Sequence, residues 1–143
     1  MKGYFFICVA TLLFYACDGN QAKSNATSLQ NKHFVIEKLE FAGKTLTPSS
    51  FQDENSSISF ENDSYNGFAG CNNFFGSLGL NGGKVSFLNS GGSTKMMCLP
   101  QIMAFEDILL GNLQGEFELY EQNDNFILRS NQLTIYLNKS NDK

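Results

Sequence analysis

Phe74-Phe75-Gly76-Ser77-Leu78-Gly79-Leu80-Asn81-Gly82-Gly83-Lys84-Val85-Ser86-Phe87-Leu88 reads as two extended runs around a glycine turn. Asn and Gly tolerate the positive φ that a tight hairpin turn demands, and aromatic and β-branched side chains suit the pleated flanks, so the stretch predicts an antiparallel hairpin. The same pattern continues upstream. His33 to Phe41 is rich in aromatic and β-branched residues and ends at Ala42-Gly43, a turn signal. Lys44 to Thr47 continues extended until Pro48-Ser49-Ser50 interrupts it. Ser57-Ile58-Ser59-Phe60 alternates polar and apolar before a turn at Glu61-Asn62-Asp63, with Ser64 to Gly70 as its partner. Downstream, Gly91-Gly92 turns into a short extended piece, Ser93 to Met97. Glu116 to Tyr120, Phe126 to Leu128 and Leu133 to Leu137 then predict three further strands joined by short Asn-rich turns.

The period changes once. Between Pro100 and Leu113, Ile102, Phe105, Leu109 and Leu113 recur at three and four residues, which predicts one helix of about four turns, with Pro100 near its start and Gly115 past its end. Strands, one helix and three more strands with hairpin-length links define an α+β class: an antiparallel sheet, meander or partly closed barrel, with one main helix packed on it. The 143 residues suit a single domain, and 42% apolar against 17% charged residues is the composition of a chain that buries a core. Fourteen Phe serve that core, or alternatively line a groove for a lipid or peptide.

The first segment reads as an address. Met1-Lys2-Gly3 is a short basic start and Tyr4 to Ala16 is almost unbroken apolar sequence, the pattern of a secretory signal and too short to span a bilayer comfortably. Leu13-Phe14-Tyr15-Ala16-Cys17 resembles the lipobox of bacterial lipoproteins. That resemblance implies removal of residues 1–16, acylation of Cys17 and anchoring of the mature chain at a membrane, the outer membrane favoured over the inner. Ordinary secretion, with Cys17 a passenger thiol, is the alternative. Loss of Lys2 leaves nine basic against fourteen acidic residues, a mature net charge of −5. Asp18 to Lys32 lacks apolar periodicity and predicts a flexible tether, with the folded domain running from residue 33 to 138 and a polar tail over 139–143.

Cys8 falls in the discarded segment and Cys17 in the anchor, which leaves Cys71 and Cys98. An exported domain meets an oxidising compartment, so a Cys71–Cys98 disulfide is expected. The alternatives are two separate buried thiols, a Cys–His dyad with His33, the sole histidine, and a zinc site, for which about four ligands would be needed. A redox-active pair is a further alternative, although the spacing is unlike Cys-x-x-Cys.

Two stretches are more specific than their composition: Gly67-Phe68-Ala69-Gly70-Cys71-Asn72-Asn73-Phe74-Phe75-Gly76, and Thr94-Lys95-Met96-Met97-Cys98 with Glu106 on the helix. Together they resemble the META domain, the domain of the bacterial heat-shock protein HslJ and its relatives. The shared pattern is Gly-x-x-Gly-Cys-Asn-x-aromatic-x-Gly, then Thr-x-Met-x-Cys, then a Glu-bearing helix. The resemblance covers His33 to Leu137; Phe34 stands where the family usually has Trp, and Leu78 replaces a second aromatic. It implies an envelope or stress setting and no defined reaction. By their chemistry, Gly67, Gly70 and Gly76 permit positive φ or close chain approach, and Asn72 tolerates a left-handed backbone or bonds its own main chain. Asn72, Thr94 and Glu106 either make turn and cap bonds of this kind or line a small polar pocket.

Function classes narrow accordingly. A formal charge of −4 disfavours nucleic acid as a partner, because that affinity comes from Lys and Arg on phosphates. No carboxylate pair, nucleophile elbow or phosphate loop stands out, which predicts a chain that is not an enzyme and needs no cofactor or metal. The expectation is a non-enzymatic envelope lipoprotein with an envelope protein as a candidate partner. A module that captures an apolar ligand, or an extended peptide on a sheet edge, is the alternative. No oligomeric state is implied.

Overall fold

In the computed structural model the structure describes residues 21–49 and 54–140. The expected signal segment 1–16, the lipidated Cys17, the first residues of the tether and the last three of the polar tail lie outside the described residues. Among the described residues, eleven strands and two helical pieces follow in chain order. They are β1 (Ala22–Lys23), a short 3-10 turn (Ala26–Leu29), β2 (Lys32–Phe41), β3 (Lys44–Leu46), β4 (Ser57–Glu61), β5 (Ser64–Phe68), β6 (Asn73–Asn81), β7 (Lys84–Phe87) and β8 (Gly92–Ser93). Then come α1 (Pro100–Asn112), β9 (Gly115–Gln122), β10 (Asn125–Arg129) and β11 (Leu133–Lys139).

The sheet closes on itself. Its order is β9-β10-β11-β2-β4-β5-β6-β7, and β7 pairs back onto β9 through Val85↔Phe117, giving an eight-stranded antiparallel barrel. The α+β expectation holds, and of the two sheet forms expected the barrel is the observed one. β7 reaches only as far as Glu118 on β9; β1 continues the same edge at Tyr120 and Glu121. Among the described residues, closure leaves as free edges mainly the two- and three-residue strands β1, β8 and β3, which removes the long exposed edge that invites pairing with other chains.

Alternation fixes which side chains enter. Phe34, Phe60, Phe87, Phe117 and Phe126 are fully buried and touch edge to face or tilted, for example Phe34–Phe126 at 5.4 Å and Phe87–Phe117 at 5.3 Å between centroids. These five phenylalanines therefore make core rather than groove. β2 carries a bulge opposite Tyr136/Leu137, and this lets both Ile36 and Leu39 point inward while Lys38 points out.

Both ends are stoppered. The helix joins the end of β8 to the start of β9 at one mouth and sends Phe105 and Leu109 into the barrel's core cluster. At the other mouth the 3-10 turn buries Ala26 and Leu29 and is pinned by Ala26 N donating to Gly82 O at 2.6 Å. The predicted tether is thus corrected: residues 21–32 belong to the domain, and the chain enters the barrel about twelve residues before His33. The physical reason is that two buried side chains and two strand pairings suffice to order a segment too short for a periodic signal. Leu29→Ala should lower stability by about 2–5 kcal/mol in urea unfolding, where a tether residue would read near zero. Two smaller differences follow from local bonding. β5 stops at Phe68, and the extended piece expected over Ser93 to Met97 is strand only at Gly92–Ser93.

Candidate functional site

The two motif stretches meet at the helix-capped mouth. Between β5 and β6 the chain turns through Gly70, at φ +121, where a Cβ would stand 2.8 Å from Ser49 O. Gly67 and Gly76 serve a different end, since they face Phe74 and Tyr65 across paired strands and each ring lies where a glycine Cβ would be. The turn presents Cys71 and Asn72 to the helix, and Cys71 is joined to Cys98 in a disulfide with Cα atoms 6.2 Å apart. The expected pairing is therefore observed, which leaves neither sulfur free for zinc or for a dyad. His33 stands on β2, its Nδ1 2.8 Å from Ser59 Oγ.

Glu106 is buried on the inner side of the helix. Its Oε2 accepts from Asn72 N at 2.8 Å and from Cys71 N at 3.3 Å, and its Oε1 accepts from Asn72 Nδ2 at 2.5 Å. Asn72 is saturated. Its Nδ2 also donates to Met96 O at 3.1 Å, while its Oδ1 accepts from Met96 N at 2.6 Å and Thr94 Oγ1 at 2.9 Å. Thr94 Oγ1 in turn accepts from Asn73 N at 3.0 Å. The motif positions named in the sequence thus gather at one end of the barrel: Gly70 shapes the turn, Gly67 and Gly76 make room for Phe74 and Tyr65 on the strands beside it, and Asn72, Thr94, Met96 and Glu106 form one network beside the Cys71–Cys98 bridge.

An Asn with four hydrogen bonds and a carboxylate with three leave little capacity for a ligand. The cluster's chemistry is to fasten: it ties the β5–β6 turn, the non-strand segment after β8 and the helix into one unit, as a fully satisfied buried network does. Thr94 and Met96 give their backbone and hydroxyl to Asn72, which is why this stretch does not continue as strand.

Clefts lie elsewhere. One of about 310 Å³ is bordered by Tyr65, Phe75, Leu88 and, from the end of the helix, Leu110 and Leu113. Phe75 and Leu88 are exposed there, at 59% and 49%. A polar one of about 630 Å³ runs past Glu116, Glu118, Arg129 and Asn131. Sequence reasoning singles out neither; Phe75, an aromatic at an outward position of an alternating strand, is the available signal for the first.

A closed barrel stoppered by a helix, with a disulfide and a buried Asn–Glu network locking the stopper, defines a small clamped β-barrel domain. The META domain family model matches residues 27–141, and the chain belongs to that family. The fold is shared with an NMR structure of a protein from Burkholderia xenovorans, at TM-score 0.67 and 23% identity over 82% of this chain and 87% of that one. A second NMR structure aligns at TM-score 0.61 and 23% identity, covering 80% and 93% of the two chains. No curated protein matches the sequence.

Proposed function

We propose that the chain is a non-enzymatic lipoprotein of the bacterial cell envelope, its META barrel a stress-associated or envelope-maintenance module held at a membrane by acylated Cys17, with the outer membrane favoured. The observation that carries this is the Cys71–Cys98 bridge at the helix-capped mouth, since such bridges persist in oxidising compartments. The lipobox-like sequence before Cys17 adds a route to that compartment. Anchoring needs no spanning helix, because two or more acyl chains, each methylene contributing about 0.8 kcal/mol, suffice. The motif network supports a scaffold rather than a reaction: its polar groups are bonded to one another.

Intact mass of the protein made in a bacterial host, before and after reduction and alkylation, tests this. The expected species begins at Cys17, carries acyl chains and shows two alkylatable thiols only after reduction. A full-length, unacylated chain with free thiols would sink the envelope reading in favour of a cytoplasmic one. The cleft beside Phe75, Leu88 and Leu110 favours a second reading, capture of an apolar ligand, which predicts a non-covalent mass retained under native conditions. Peptide capture on a sheet edge has less to recommend it, since closure leaves only short edges among the described residues.

A further inference from the structure

We propose that the outer wall formed by β9, β10, β11 and β2 is the face that rests on the membrane surface, an inference that builds on acylation of Cys17. Four strands there place one row of side chains directly opposite one another: Tyr120, Ile127, Tyr136 and Lys38. A second row, Glu118, Arg129, Thr134 and Glu40, runs beside it. Lys38 Nζ lies 4.1 Å from the Tyr136 ring centre and the Arg129 guanidinium 5.0 Å from that of Tyr120. Ile127 between the tyrosines is itself covered, so the wall presents the two tyrosines with cations stacked on their rings, amphipathic groups of the kind that settle at head-group level.

The wall is also charge-balanced although the chain is acidic. Lys23 pairs with Glu118 at 3.0 Å and Lys38 with Glu40 at 3.8 Å. Hydrogen bonds from the Tyr120 hydroxyl and then Lys23 hold Glu118 below the usual carboxylate range, and burial followed by the bond to Glu40 raises the Tyr136 hydroxyl above its own. The opposite wall, β4 to β7, turns out Ser57, Ser59, Asn66, Ser77 and Ser86, with the exposed Phe75 at its helix-capped end.

The first described residues decide between the walls. Gln21 Oε1 accepts from Arg129 Nη2 at 3.2 Å, and β1 follows at once along β9. Cys17 lies four residues earlier, a span of at most about 14 Å. A domain of this size has a radius of gyration of about 13 Å, so an anchor on that leash keeps the Gln21 wall at the bilayer and the β4–β7 wall a barrel's width away.

The chain contains no Trp, so single tryptophans report cleanly. The acylated mature protein, beginning at Cys17 and with its acylation verified by mass, is placed on phosphatidylcholine vesicles whose acyl chains carry bromine near the head-group end. Tyr136→Trp and Tyr120→Trp should be quenched several-fold more than Phe75→Trp on the opposite wall, and should shift to the blue. The second wall variant covers a failure of the first to fold. Equal quenching at all three positions, or stronger quenching at position 75, overturns the proposed orientation while leaving the anchor standing. A chain that proves unacylated overturns both.

Discussion

Glu106→Ala is expected to destabilise the domain by about 3–5 kcal/mol, because it strands three buried N–H groups, Cys71 N, Asn72 N and Asn72 Nδ2, that now converge on one carboxylate. Alanine is the better helix former, so helix propensity contributes nothing to the loss and slightly masks it. Glu106→Gln keeps one acceptor oxygen and should lose roughly half as much. Asp107→Ala, the exposed neighbour on the same helix, should read near zero. Equilibrium unfolding in urea separates the three. A loss below about 1 kcal/mol for Glu106→Ala would mean that the network positions the helix without holding it, and would return the site to the class of ligand pockets.

Removing the bridge with the paired change Cys71→Ala and Cys98→Ala should cost about 3.5 kcal/mol by the chain-entropy estimate for its 27-residue separation. Against a typical domain stability of about 5–15 kcal/mol that is a large share, and the melting temperature should fall by roughly 10–20 °C. Scanning calorimetry of the oxidised wild type against the double variant reads it directly. The combination with Glu106→Ala should fall short of the sum, since Cys71 belongs to both the bridge and the network and neighbouring changes couple. Strict additivity would show that bridge and network brace the helix independently.

Much of the architecture is legible from residues whose chemistry is local. Asn81-Gly82-Gly83 announces its hairpin because the turn needs positive φ, and Gly82 has it, at +57°. Pro100 and the spacing of Ile102, Phe105 and Leu109 announce the helix within a residue of its observed bounds. Barrel closure is not legible: the return of β7 to β9 arises from accumulated sheet twist, and no single residue encodes it. Nor is the entry segment, where Ala26 and Leu29 are buried among Asn, Thr and Ser that read as linker. The motif cluster stands between these cases. Its members are visible in the sequence, but whether Asn72 and Glu106 await a ligand or satisfy each other depends on distances of 2.5–3.3 Å that spacing does not reveal.

The way the barrel is sealed also sets a timetable for its assembly. β1 and β2, the first strands among the described residues, find partners in β9 and β11, near the other end: Ala22 waits for Glu121, and Phe34 for Lys139. Whenever the polypeptide emerges amino end first, β2 can pair at once with β3 and β4 on one edge, but β1 and the other edge of β2 have nothing to zip against until β9 and β11 are out. The Cys71–Cys98 crosslink, by contrast, joins residues that surface within one short interval and can form while the seam is still open. Late closure of this sort leaves the chain threadable while it emerges and makes the seam between first and last strands the step that commits it to its final shape.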